Sequence, residues 1–425
     1  MSAERFLERH GMLASLIDPE KELERFLEEM ERVRRGGEGS LKMIPTVLGE
    51  YCPPAEPQKI TVMDIGGTNV RTAIVELGQE GMVSSRTLTP FLTPGLEKEM
   101  SAEDFFRTIA LGVSRQSEWE EITAMAGSPL GICFSFALKP VAPRDAEVAF
   151  GAKQIRVPDL VGQRIGKSFC SALESLDKPA GQKITVINDA SAAALGGRSV
   201  HTEKVYSGYL GFIYGTGTNL SYCTKDGEII NVESGAYCSF PAGDIDDVYD
   251  RSLIDSGQDR FEKMTTGGYL RGLAECILRF AAEEDEISPR TCELLLCDGA
   301  VRLEPKEIST FSAHPGGDGC IARACASSKD REFLLALFDG LTRRSARLCS
   351  ITITAGMIKA GAGKIGEGPA FITAEGSAFT GQKGFAEKLY AEMDELAGRK
   401  NGLHYEFHTV PQVTFRGTAV ACLSK

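Results

Sequence analysis

The sequence predicts an α/β protein built as two similar lobes with a cleft between them. Three observations carry this expectation. The chain has 425 residues, which at roughly 150 residues per domain asks for two or three domains or two large lobes. Each half opens with short β-type runs around a Gly/Thr-rich turn, Asp64-Ile65-Gly66-Gly67-Thr68-Asn69 and then Gly215-Thr216-Gly217-Thr218-Asn219, and continues into helical patterns. A proline cluster, Pro53, Pro54 and Pro57, together with a switch of hydrophobic period, puts a domain entrance near residue 56.

Before that entrance, Phe6, Leu7, Met12, Leu13, Leu16, Leu23, Phe26, Leu27 and Met30 recur at helical spacing, broken at Asp18-Pro19. Two amphipathic helices with solvated charged faces are expected. The runs ITVMDIGG, VRTAIVEL and SSRTLTPFL then read as strands, followed by a helix over 102–113, a buried strand over 130–137, a helix over 158–173 and a strand over 183–187. In the second half, residues 206–214, 218–223 and 227–232 read as a second meander, followed by helices around 257–284, 288–296, 328–347 and 384–397. The two halves repeat a topology without repeating residues.

Composition excludes several classes of function. Lys plus Arg total 47 and Asp plus Glu 59, a formal charge of −12, so a chain whose task is to cover nucleic acid or anionic lipid is not expected. No apolar run approaches the roughly 18 residues of a spanning helix. The N-terminal stretch mixes both charges and resembles neither a secretory signal nor a transit peptide, so a cytoplasmic location is expected. The twelve cysteines are scattered from Cys52 to Cys422, as reduced, largely buried thiols would be. None of the five histidines completes a zinc spacing with them.

Three clusters carry chemistry. In the first, Gly66 and Gly67 allow a tight turn whose N–H groups can approach an anion, and Thr68, Asn69 and Arg71 add donors beside Asp64. A plain hairpin turn would look the same. The second, around Thr216 and Gly217, repeats the device at the head of the other half, so the pair reads as two jaws on one polyphosphate. In the third, Asn188-Asp189 ends a strand and opens an alanine-rich helix. That position suits an N-cap, and it equally suits a general base facing the cleft.

With these clusters on the page, DIGGTNVR, FSFAL, INDASAA, YGTGTN, NVESGA, GQDRFEKMTTGGYL, GLTRRSARLCS, ITAEGSAF and RGTA resemble, in order and spacing, hexokinases of the eukaryotic type, including glucokinase. The similarity spans about residues 5 to 422. It implies the two-lobed actin-like ATPase (ribonuclease H-like) fold, each lobe a mixed sheet with an antiparallel meander flanked by helices. The implied division is 1–55 with 188–412 as the large lobe and 56–187 with 413–425 as the small one. It also implies ATP-dependent phosphorylation of a hexose, foremost glucose, at the 6-hydroxyl, with ATP and magnesium, in a monomer or homodimer.

By the same resemblance Asp189 is the base, Asn188, Ser135, Asn219, Glu233 and Glu262 hold the sugar, and Lys153 stands at the sugar and the reacting oxygen. Asp64, Gly66, Gly67, Thr68, Asn69, Arg71, Thr216 and Gly217 hold the phosphates. Gly376 and Ser377 cradle the adenosine side and α-phosphate, with Gly417 and Thr418 nearby. No residue is expected to ligate metal directly: magnesium rides on ATP, and Asp64 faces it through water.

The chain departs from the family pattern at Ala152 for threonine beside Lys153, Ala190 for threonine after the base, Ser234 for an aromatic, and Glu375 for the aspartate of Asp-Gly-Ser. These changes leave the base and both phosphate turns and bear on sugar preference. Mannose, fructose or an amino sugar is the alternative substrate. A sugar sensor without turnover would have no need of Asp189 and Arg71, and an actin-like or chaperone-like ATPase would have no need of the sugar-facing residues.

Overall fold

A computed structural model describes residues 2–46, 48, 53–116, 119, 128–149, 155–179, 182–296 and 303–424. Lys153, with its neighbours Ala152 and Gln154, lies outside the described residues.

Two sheets organise the chain. In the first, strands run in the order Gly81–Thr87, Asn69–Gly78, Gln58–Ile65, Pro129–Phe134, Lys183–Ile187, with Phe91–Leu92 added to the second of these. The first three are antiparallel and the last three parallel. In the second sheet the order is Ile44–Thr46, Ile229–Asn231, Thr218–Cys223, Gly208–Tyr214, Ala370–Glu375, Tyr405–His408. It too is antiparallel through Gly208–Tyr214 and parallel beyond. The repeat of topology expected from the sequence is thus present, completed in the second half by two strands that the patterning did not mark.

Local chemistry explains most element ends. Asp18 accepts the N–H groups of Glu20 and Lys21 and caps the helix Pro19–Arg34, whose first residue is proline. The helix expected over 158–173 begins only at Ile165, because the Asp145 carboxylate collects the N–H groups of Gly166 (2.7 Å) and Lys167 (3.2 Å) there. The region 257–284 is two helices, Arg260–Thr265 and Gly267–Glu283, parted at an extended Thr266. The helix expected to stop at 347 runs on as Ser328–Ala360 to a left-handed Gly361. Its β-branched segment Ile351–Thr354 is completely buried, so packing overrides a strand-like propensity.

The largest core lies between the second sheet and the helices Pro19–Arg34, Ser328–Ala360 and Phe385–Met393, and a separate core joins the first sheet to Ala102–Ser114 and Ile165–Ser175. Between the sheets lie two helices, Asp189–Arg198 and Val413–Leu423, which share a core with residues of both. They cross closely: a Cβ on Gly417 would stand 1.8 Å from the Ala192 carbonyl, and one on Gly196 2.4 Å from that of Val413. A Cβ on Gly211 would stand 2.2 Å from the Ala190 carbonyl. The alanine and glycine content of Asp189–Arg198 is what lets it sit in this sandwich. Gly417 and Thr418, expected near the nucleotide, are instead packed into this crossing, with Thr418 Oγ1 donating to the Thr414 carbonyl.

No disulfide joins any of the ten described cysteines, of which three are buried and seven half-buried. No helix among the described residues is long and apolar enough to cross a membrane.

Candidate active site

A cleft of about 1160 Å³ opens between the sheets. Each glycine turn sits at its mouth and each is braced from behind. Gly66 N donates to the Asn69 carbonyl (3.1 Å), and Thr93 Oγ1 donates to the Gly66 carbonyl (2.7 Å). In the other turn, Gly215 N donates to the Gly217 carbonyl (2.9 Å), while the N–H groups of Gly267 and Gly268 donate to the carbonyls of Gly215 and Thr216. Thr68, Asn69 and Thr216 are left exposed toward the cleft.

The second turn is tied to a carboxylate. Glu262, 5% exposed, accepts the Thr218 N–H on Oε1 at 2.8 Å. A Cβ on Gly217 would stand 2.0 Å from that same oxygen, so the turn needs glycine here for a close approach rather than for its dihedral angles. Glu262 therefore braces the glycine turn and lines the cleft at once.

Asp64, at the end of its strand, is buried and accepts Arg71 Nε at 3.0 Å. Burial pushes its carboxyl up, and the Arg71 guanidinium and the Cys133 thiol pull against that. The Asp64 carboxylate in turn holds the guanidinium firmly protonated.

The strand Lys183–Ile187 delivers Asn188 and Asp189. Asn188 Oδ1 accepts the Ala190 N–H at 2.9 Å, which makes it the N-cap. Its amide also reaches the Phe136 carbonyl (3.3 Å) and faces Asn219 Nδ2 (3.4 Å), so cap and site residue are the same group. Asp189 Oδ1 accepts its neighbour's N–H at 2.8 Å, and the Ser135 hydroxyl donates to the carboxylate. Burial first, then the charge of Asp64, pushes the Asp189 carboxyl up to about 6. A general base for a hydroxyl works best with such a value near the operating pH.

The sequence-derived residues come together. Asp64, Gly66, Gly67, Thr68, Asn69, Arg71, Ser135, Asn188, Asp189, Thr216, Gly217, Asn219, Glu233, Glu262, Gly376 and Ser377 all line this one cleft. Gly376 takes φ +126°, and a Cβ there would stand 2.2 Å from the Tyr214 carbonyl. Glu233 is held in the left-handed region at φ 53°, a strained setting for a non-glycine residue that the surrounding contacts must maintain.

Two residues escaped the reading of the sequence. Asn231, buried, accepts Asn219 Nδ2 on Oδ1 (3.0 Å) and donates Nδ2 to Glu233 Oε1 (2.7 Å), so it fixes two cleft-lining side chains at once. No local spacing marked it, because Glu233 lies beyond the strand Ile229–Asn231 and in the left-handed region. Glu375, marked by sequence only as a substitution, also lines the cleft, with Thr414 N–H and Oγ1 directed at its carboxyl.

Family models described as Hexokinase match residues 17–198 and 209–424. Hexokinase-1 of Nicotiana tabacum is 28% identical over 282 residues, 60% of this chain and 55% of that protein. The chain thus spans little more than half the length of that relative. Hexokinase-7 of Oryza sativa subsp. japonica is 24% identical over 86% of this chain and 84% of its own, and Hexokinase-2 of Solanum tuberosum 26% over 92% and 79%. In fold, the chain superposes along its whole length on a hexokinase from Schistosoma mansoni complexed with glucose, TM-score 0.80 at 19% identity with 100% of both chains covered. The fold is therefore the actin-like, two-lobed one, and the chain belongs to the hexokinase family of sugar phosphotransferases.

Proposed function

We propose that the protein transfers the γ-phosphoryl group of ATP to the 6-hydroxyl of a hexose, with glucose as the foremost substrate. The observation that carries this reading is the meeting of two braced glycine turns from different sheets in one cleft, with the Asp189 carboxyl beside them. The glucose in the Schistosoma mansoni neighbour and the glucose and AMPPNP in a ROK family glucokinase from Streptomyces griseus, TM-score 0.53, support the choice of ligands.

In this mechanism Asn188, Asn219, Glu233, Glu262 and Ser135 hold the sugar rim. A sugar leaves a buried polar group unpaired for each partner it lacks. Asp189 takes the proton of the 6-hydroxyl as the oxygen attacks the γ-phosphorus in line. The bond from that phosphorus to the bridging oxygen breaks, and ADP leaves with its electrons. The proton stays on Asp189 until it passes to water. Lys153 is assigned to the reacting oxygen from the sequence alone.

The phosphates would lie against Gly66, Gly67, Thr68, Asn69 and Arg71 on one side and Thr216 and Gly217 on the other, with Gly376 and Ser377 at the nucleoside end. Magnesium carried by ATP supplies charge neutralisation of the phosphates. Asp64, whose carboxylate is already engaged by Arg71 and Cys133, would hold that magnesium through water rather than directly.

We further propose that 1–55 with 188–412, and 56–187 with 413–425, move as two bodies. The crossing of Asp189–Arg198 with Val413–Leu423 would be the axis, and closure would exclude water as a competing acceptor. The deciding assay is purified protein with magnesium, ATP and a panel of glucose, mannose, fructose and glucosamine, detecting sugar phosphate. Glucose 6-phosphate is the expected product. Failure with every hexose overturns the reading, and preference for another sugar revises only the substrate.

A further inference from the structure

Glu375 ends the strand Ala370–Glu375, lines the cleft and feels charged groups from three other elements: Asp64 and Arg71 from two strands of the other sheet, and Asp189 from its helix. The buried Cys133 thiol lies within the same field. From the helix Val413–Leu423 the neutral Thr414 addresses the carboxyl with its N–H and Oγ1 (3.5 Å). Its other oxygen, Oε2, is buried and has no hydrogen-bond partner among the described residues.

Asp64 and Glu375 thus share one guanidinium with Asp189 close by, and the orphaned oxygen belongs to Glu375. A triphosphate laid between the two glycine turns brings further negative charge to this place. Charge so close to a poorly solvated carboxylate drives it toward its neutral form. Resting on the kinase reading, we propose that Glu375 takes up a proton as the nucleotide triphosphate binds, making nucleotide affinity proton-linked through this residue. With Glu375 neutral, Arg71 has one fewer carboxylate to answer and can serve Asp64 and the phosphates. Burial, reinforced by Asp64 and opposed by Arg71, already pushes the Glu375 carboxyl up to about 7, so uptake falls in the neutral range.

The test is calorimetric titration of the full chain with magnesium and a nonhydrolysable ATP analogue at pH 7.5, in buffers of different protonation enthalpy. The wild-type protein is expected to take up a measurable fraction of one proton, and its affinity to weaken by up to about tenfold per pH unit above 7. E375Q is expected to bind with no such uptake and a flat pH dependence, while D189N keeps the uptake. An analogue that binds the wild type without proton uptake overturns this inference alone, as does uptake undiminished in E375Q. An analogue that does not bind at all overturns the kinase reading and this inference with it.

Discussion

Asn188 and Asp189 show how a helix cap and a carboxylate that lines a cleft can be chain neighbours. The first residues of a helix carry unpaired N–H groups. Asn188 answers one of them, and Asp189 points its carboxylate into the cleft, desolvated and beside Asp64. D189A is expected to lower kcat at least about a hundredfold while leaving sugar affinity nearly unchanged, as steady-state kinetics and equilibrium titration would read. A small loss would mean that the base is another group. The pH dependence has a definite sign. The base acts in its deprotonated form, so kcat/KM for the sugar should be level above about 6 and fall about tenfold per unit below it in the wild-type profile. Asn231 makes a separate forecast: N231A, which leaves Asn219 and Glu233 without their common partner, should raise the sugar KM about tenfold or more with a smaller change in kcat. An equal loss in both would point to general unfolding. Asn188, Asp189 and Glu262 were legible because they sit in motifs. Asn231 was not, because its role is to link Asn219 on the neighbouring strand with Glu233 beyond its own.

At the scale of elements, glycine marks close approaches as often as turns. G217A would push a methyl carbon onto Glu262 Oε1, 2.0 Å away in ideal geometry, and so displace this glycine turn. The expected result is a KM for ATP raised severalfold with Tm little changed, since the turn lies at the cleft. G417A acts elsewhere, at the helix crossing, and should cost about 1–3 kcal/mol of stability by overpacking, read as a lower Tm. Wild-type Tm in that variant would mean the helices can separate freely. The buried pair Arg344–Asp246, with nitrogen to oxygen distances of 2.6 and 3.0 Å, shows how the long helix Ser328–Ala360 is anchored to Asp244–Arg251. The sequence's helical periodicity found the start of that long helix and not its end, because its second half is buried all round and loses the polar stripe that periodicity relies on.

For the whole molecule, the sandwich of two helices between two sheets is the feature that lets one cleft be built from both halves. Glucose alone, without nucleotide, should reduce the radius of gyration in solution scattering, and unchanged dimensions would count against two bodies that close. What the sequence determined by itself was everything carried by local patterns: the glycine turns, the strand that presents Asn188 and Asp189, and the ordered motifs of the family. Only the tertiary structure decided which charges face one another. The Glu375 carboxyl meets Asp64, Arg71 and Asp189 across more than 180 residues of chain, and Gly417 meets Ala192 across more than 200. Burial and proximity of this kind are properties of packed elements, and it is they that set the acidities on which proton transfer depends.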